Sequence, residues 1–142
     1  MVFQSDDGRS AMWRVPEDAD LLESVTQAVT ELGVSAGSLQ VIGAVKKVVL
    51  GYYDQDTKQY GLLEPEGHFE IASGLGSVSM KDGAPFVHLH LVCSGEDGAS
   101  IGGHLMPGTI TFVAEATVTH LGGPAPERVP DASTGLALWP AG

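Results

Sequence analysis

A chain of 142 residues, 43% hydrophobic and 18% charged, has room for one domain around one core and is too apolar for intrinsic disorder. Eighteen acidic against seven basic side chains leave a net charge of −11, which repels phosphate and anionic lipid and disfavours generic nucleic-acid binding. The single cysteine, Cys93, excludes an intrachain disulfide framework and a cysteine-based zinc cluster, and it fits a reducing compartment, so a cytoplasmic location is expected.

Residues 1–9 read as a flexible lead-in, with Asp6 and Asp7 where a signal peptide needs an apolar stretch. No apolar run approaches the ~18 residues that span a bilayer. Ser10–Val15 reads as a short strand, because Pro16 holds Val15 extended. Leu21, Leu22, Val25, Ala28, Val29 and Leu32 then fall on one stripe of a 3.6-residue period and predict a helix. Asp20 and Glu23 have the spacing of a capping box at its start, and Gly33 stands where a C′ residue is needed.

Beyond the helix the pattern turns to β-branched, period-two runs cut by Gly, Asp and Pro. Strands are expected over Leu39–Val45 and Lys47–Tyr53, with Gly43 marking a bulge or close backbone approach. Further strands are expected over Phe69–Met80 and Pro85–Cys93, then a short run to Gly103, then a long strand Thr109–Leu121. Turns fall at Lys81–Gly83, Ser94–Gly98 and Pro107–Gly108. The sum is a single α+β domain, a mostly antiparallel β-sheet packed with one main α-helix. Residues 122–142 form a tail whose alternating Gly135–Trp139 segment is expected to pack on the domain or on a neighbouring subunit.

The residues richest in chemistry are His88 and His90, in Phe86-Val-His-Leu-His-Leu-Val92, and His104, after Gly102-Gly103. Alternate strand residues share a face, so His88 and His90 project side by side, and two glycines allow a neighbouring strand to bring His104 to the same point. Three neutral imidazoles suit Zn²⁺ and leave a fourth position open; other imidazole-preferring divalent metals fit the same set. The competing reading is three strand histidines bonded to backbone carbonyls. Glu70 and Glu115 lie inside apolar strands and are the candidate catalytic carboxylates, as a general base near a metal. Arg14 is a candidate anion clamp or surface ion-pair partner, Cys93 a small core residue, and His68 and His120 surface residues.

The segments Ile42-Gly-Ala-Val45, Gly51-Tyr-Tyr-Asp54, Phe69-Glu-Ile-Ala-Ser73, Asp82–His90, Gly102–Leu105 and Glu115 together resemble the PPC domain family, the domain conserved in plants and prokaryotes. The resemblance spans residues 10–121. It implies a compact α+β domain that assembles as a homotrimer with sites near the subunit contacts, and zinc at His88, His90 and His104. Plant relatives carry DNA-binding AT-hooks outside this domain; no such hook is present here, and direct nucleic-acid binding is not expected. A more distant likeness is to acetolactate decarboxylase, whose catalytic arginine and glutamates do not map onto this chain by motif, so no reaction is carried over. The function so implied is a metal-binding domain with a small-molecule pocket and no membrane contact, whose enzymatic class, lyase or hydrolase, is open; the alternative is a non-catalytic assembly or DNA-associated regulatory module.

Overall fold

The computed structural model describes residues 1–141. The expected helix forms as α1 (Leu21–Glu31). Oδ1 of Asp20 accepts from the Glu23 N–H at 3.0 Å, and Oδ2 accepts from the Gly108 N–H at 2.6 Å. One carboxylate thus satisfies an orphan donor of the first helical turn and ties the helix to the turn ahead of the last long strand. Gly33, at φ 68°, follows the other end.

Among the described residues eleven strands accompany it: β1 (Val2–Gln4), β2 (Ser10–Val15), β3 (Gly37–Lys47), β4 (Leu50–Asp54), β5 (Gln59–Leu63), β6 (Phe69–Lys81), β7 (Ala84–Ser94), β8 (Ser100–Leu105), β9 (Ile110–His120), β10 (Glu127–Pro130) and β11 (Ala137–Leu138). The main sheet runs β1-β2-β9-β3-β6-β7-β8-β4-β5, and every neighbouring pair is antiparallel. The α+β architecture read from the sequence is therefore present. Three strands go beyond it. The lead-in contains β1, which pairs with β2 although its residues are exposed. β5 is exposed along its whole length and carries no alternation to announce it. In the tail, β10 runs parallel to the end of β6, and the alternating 135–139 segment contributes only β11, which pairs with β10 and not with the main sheet.

The connection from β6 to β7 sets the register on which the site depends. Asp82 (φ 52°) and Gly83 (φ 78°) form a two-residue turn between paired Lys81 and Ala84, the hairpin geometry whose twist matches that of the strands. It places Ser77 opposite His88 and Leu75 opposite His90. Gly43 (φ 139°) sits at a register shift, as expected, and a Cβ there would collide with the Val113 carbonyl oxygen.

The core lies between α1 and one face of the sheet. Leu21, Val25 and Val29 are buried with Ala11, Trp13 and Val15 of β2, Leu39 and Val41 of β3, Leu89, Leu91 and Cys93 of β7, and Ala114, Ala116 and Val118 of β9. Among the described residues no helix covers the opposite face. Consecutive cross-strand partners Met12, Thr117, Gln40, Leu75, His90 and His104 form one row across it. Met12 is 52%, Ile42 56% and Leu75 60% exposed there.

Candidate metal centre

His88 and His90 leave β7 on the face opposite buried Leu89. His104 of β8 stands directly across from His90. The close fit of β8 between β7 and β4 depends on glycine: a Cβ on Gly103 would lie 2.8 Å from the Gly51 carbonyl oxygen and 3.1 Å from Leu50 Cβ. Beneath His88, a Cβ on Gly76 would collide with the His88 carbonyl oxygen.

The three rings converge. Their centroids are 5.1 to 5.4 Å apart, and one nitrogen from each lies within 4.8 Å of the others. The Nε2 atoms of His88 and His90 are 3.2 Å apart. Two nitrogens held at ~2.0–2.1 Å on one tetrahedral ion stand about 3.3 Å apart, so this pair already has the spacing of two ligands. His104 Nδ1 is buried without a hydrogen-bond partner, which is the condition of a nitrogen awaiting an electrophile. The donor set therefore fits a divalent ion of the zinc type.

Burial, reinforced by His104, Arg128 and His90, lowers the His88 pKa to about 4, and burial with His90 and Arg128 lowers that of His104. Both rings are neutral near pH 7, the form that binds metal.

Two residues beside the triad escaped the sequence reading. Arg128 of β10 is only 7% exposed. Its Nε donates to Ser79 Oγ at 2.8 Å, Nη1 to the Ala137 carbonyl at 3.0 Å and Nη2 to His88 Nδ1 at 3.4 Å. Phe86 and Trp139 flank the guanidinium, with ring centroids at 4.9 and 4.5 Å. Because a guanidinium only donates, His88 Nδ1 accepts, and the neutral ring carries its proton on Nε2 toward His90. To offer Nε2 to an ion, the neutral ring would have to carry its proton on Nδ1 instead, and the contact with Arg128 Nη2 would then cease to be a hydrogen bond. Tyr60 of β5 lies 5.5 Å from the His104 ring and 4.9 Å from Tyr53, whose hydroxyl donates to the Thr134 carbonyl at 2.6 Å. The tail thus borders the site through Arg128, Thr134 and Trp139. No spacing rule points to a lone arginine in a Pro-flanked tail.

The candidate carboxylates lie elsewhere on the same sheet face. Glu70 is opposite Ser94, four residues along β7 from His90 or roughly 13 Å at the rise of a strand. Glu115 is on β9, three strand spacings or about 14 Å from β7. Within one chain neither joins the triad. Glu70 instead lines a cavity of about 460 Å³ with Lys46, His68, Phe69, Glu96 and Phe112. Arg14 is opposite Glu115 in the β2–β9 ladder, and His120 ends β9. Cys93 is buried in the core, its thiol pushed up to about 11 by that burial.

Three imidazoles gathered on the open face of an antiparallel sheet define a domain with a candidate metal centre. The chain belongs to the Plants and Prokaryotes Conserved (PCC) domain family, whose model matches residues 3–122. It is similar to a metal-containing protein from Archaeoglobus fulgidus, with 41% identity, 93% of each chain covered and a TM-score of 0.87. It is also similar to a plant- and prokaryote-conserved protein from Pyrococcus horikoshii, with 35% identity, 99% of this chain and 95% of that one covered, and a TM-score of 0.88. A candidate DNA-binding protein from Bacteroides thetaiotaomicron, 21% identical over 99% of this chain and 97% of its own at a TM-score of 0.88, shares the fold. Among curated proteins nothing matches.

Proposed function

We propose that this protein is a homotrimeric metal-binding domain in which His88, His90 and His104 hold one divalent ion, zinc by donor preference, beside a small-molecule pocket. The observation that carries this reading is the 3.2 Å approach of two imidazole nitrogens, with a third imidazole closing on the same point. The relative named as metal-containing supports it. When bound, such an ion supplies Lewis acidity and lowers the pKa of a coordinated water. The chain's own contribution is to keep His88 and His104 in the neutral form near pH 7 and to hold the three rings within reach of one point. Glu70 or Glu115 would act as base only from a neighbouring copy. Assembly is supported by the helix-free face, where Met12, Ile42, Leu75 and Val92 are exposed on the same side as the histidines. Among the described residues no helix is long and apolar enough to cross a membrane. The buried single thiol accords with a cytoplasmic location.

A structural ion in a non-catalytic assembly module is the second reading, favoured by the distance of both carboxylates from the triad within one chain. A DNA-associated role needs a basic partner, because the net charge of −11 opposes phosphate. The deciding measurement is metal content per chain in protein purified without a histidine tag. One ion per chain in wild type, lost in His88→Ala, is expected. Equal trace metal in both would reduce the triad to three strand histidines.

A further inference from the structure

Among the described residues, Arg128 is a buried cation without an anion. The ion pairs among the described residues are Lys46 with Glu17 and Asp18, and Lys47 with Glu64; Arg128 takes part in none of them. Its partners are a hydroxyl, a carbonyl and an imidazole, all neutral. Burying a guanidinium on these terms is costly, because no opposite charge offsets its lost hydration. The placement is the more telling in a chain with eighteen acidic residues, none of which is set against it.

The site next to it has the same imbalance. Three neutral imidazoles contribute no charge to offset a divalent ion, and the guanidinium against His88 adds another positive charge. Three of the five N–H groups of a guanidinium are engaged here, which leaves two. Phe86 and Trp139 cover the planar faces, so the guanidinium edge is what remains to recognise a ligand. A planar edge with paired donors matches a carboxylate. Tyr60, 5.5 Å from His104 ring to ring, adds a hydroxyl at the border of the same space. His90 is exposed, so the approach from solvent is open on its side.

We propose that Arg128 makes the three-histidine centre a receptor for a small organic carboxylate, drawn to the site by the bound ion and the guanidinium together. The proposal rests on the metal-binding reading above. It assigns Arg128 as a binding residue and gives the tail that carries it a role in ligand selection.

The test uses the full-length chain loaded with cobalt(II), whose visible spectrum reports changes in coordination, and acetate as the probe. In wild type, acetate shifts the spectrum saturably, while its neutral isostere acetamide leaves it unmoved. In Arg128→Gln, acetate binding weakens roughly ten- to a hundredfold, as expected on losing hydrogen bonds to a charged donor, and Arg128→Lys recovers part of it. Imidazole, a neutral ligand for the same ion, binds wild type and Arg128→Gln alike, which a merely structural role for Arg128 would not allow. Should Arg128→Gln fail to fold, the acetate and acetamide titrations of wild type and Arg128→Lys decide the matter. Failure to bind cobalt stoichiometrically overturns the three-histidine reading and this proposal with it. Cobalt bound but indifferent to acetate, responding equally to acetamide, or losing acetate and imidazole alike in Arg128→Gln overturns the proposal and leaves the metal reading standing.

Discussion

His90 and His104 face each other across the β7–β8 ladder, and Gly51 of β4 stands opposite His104 on its other side. This stack of three strands is held close by Gly103, next to the third imidazole. Gly103→Ala would put a methyl 2.8 Å from the Gly51 carbonyl oxygen, a backbone atom that can yield only if β8 moves away from β4. Overpacking of this kind costs typically about 1–3 kcal/mol. Zinc affinity is expected to fall at least roughly tenfold, since each 1.4 kcal/mol of lost alignment is a factor of ten. Gly102→Ala serves as the control, because its added methyl would meet the Leu91 carbonyl oxygen at the looser distance of 3.3 Å. Equal zinc affinity in wild type and Gly103→Ala, read by competition with a chromophoric chelator, would refute the role given to this glycine.

His88 titrates at about 4 when folded, because burial disfavours its charged form and the neighbouring cationic or chargeable groups add to that effect. In the unfolded chain it takes up its proton near ~6.5. The unfolded state therefore binds more protons between these values, and stability falls as pH drops from ~6.5 toward 4, then levels off on this account. The imidazole resonances of metal-free protein, followed by NMR, should show His88 in its neutral form at pH 5. A His88 midpoint above 6 would contradict its burial.

The alternation and turn chemistry of the sequence made the core strands legible, and the α1 stripe with its Asp20 cap made the helix legible, because one-sided burial enforces a period. β5 and β10 lacked that signal. β5 is exposed throughout, and only one residue of β10, Arg128, is buried. The histidine pair was legible because a strand places alternate residues on one face, and His104 because glycines beside a histidine suggest close approach. Arg128 and Tyr60 reach the site through the pairing of the tail and of β5, and long-range pairing leaves no mark on local spacing. The distance of Glu70 and Glu115 follows from strand order, which periodicity does not encode.

Leu75 and Ile42 should anchor the proposed trimer. Leu75 is paired with His90 and with Gln40 in the row across the helix-free face, and Ile42 lies two residues from Gln40. Both are more than half exposed in the single chain. A charge introduced at either position would have to be desolvated in any interface built there. Leu75→Glu and Ile42→Lys are each expected to shift light-scattering mass from three chains to one. Unchanged mass in both variants would move the interface to another surface.

Cys93 should resist alkylation. It is fully buried, and its thiol is pushed up to about 11, so little thiolate exists at pH 8. Iodoacetamide should label it only at the rate of unfolding, and urea should expose it in the same transition that removes the circular-dichroism signal. Fast labelling of native protein would show that the β7 core opens locally.

Asp20 carries two separate contacts on one carboxylate, and two substitutions can part them. Asp20→Ala removes the acceptor for the Glu23 N–H and the acceptor for the partly buried Gly108 N–H. Loss of a helix cap costs about 1 kcal/mol and an unsatisfied buried donor about 1–3 kcal/mol, so a total of about 2–4 kcal/mol is expected. Asn is an equally good cap but has only one oxygen, so Asp20→Asn keeps the bond to Glu23 and sets an amide NH₂ against the Gly108 N–H. If the link from helix to turn matters as the 2.6 Å distance indicates, Asp20→Asn should lose at least half of what Asp20→Ala loses in urea unfolding. A nearly wild-type Asp20→Asn would mean that the cap alone stabilises this end of α1, and that the turn before β9 holds its place without the carboxylate.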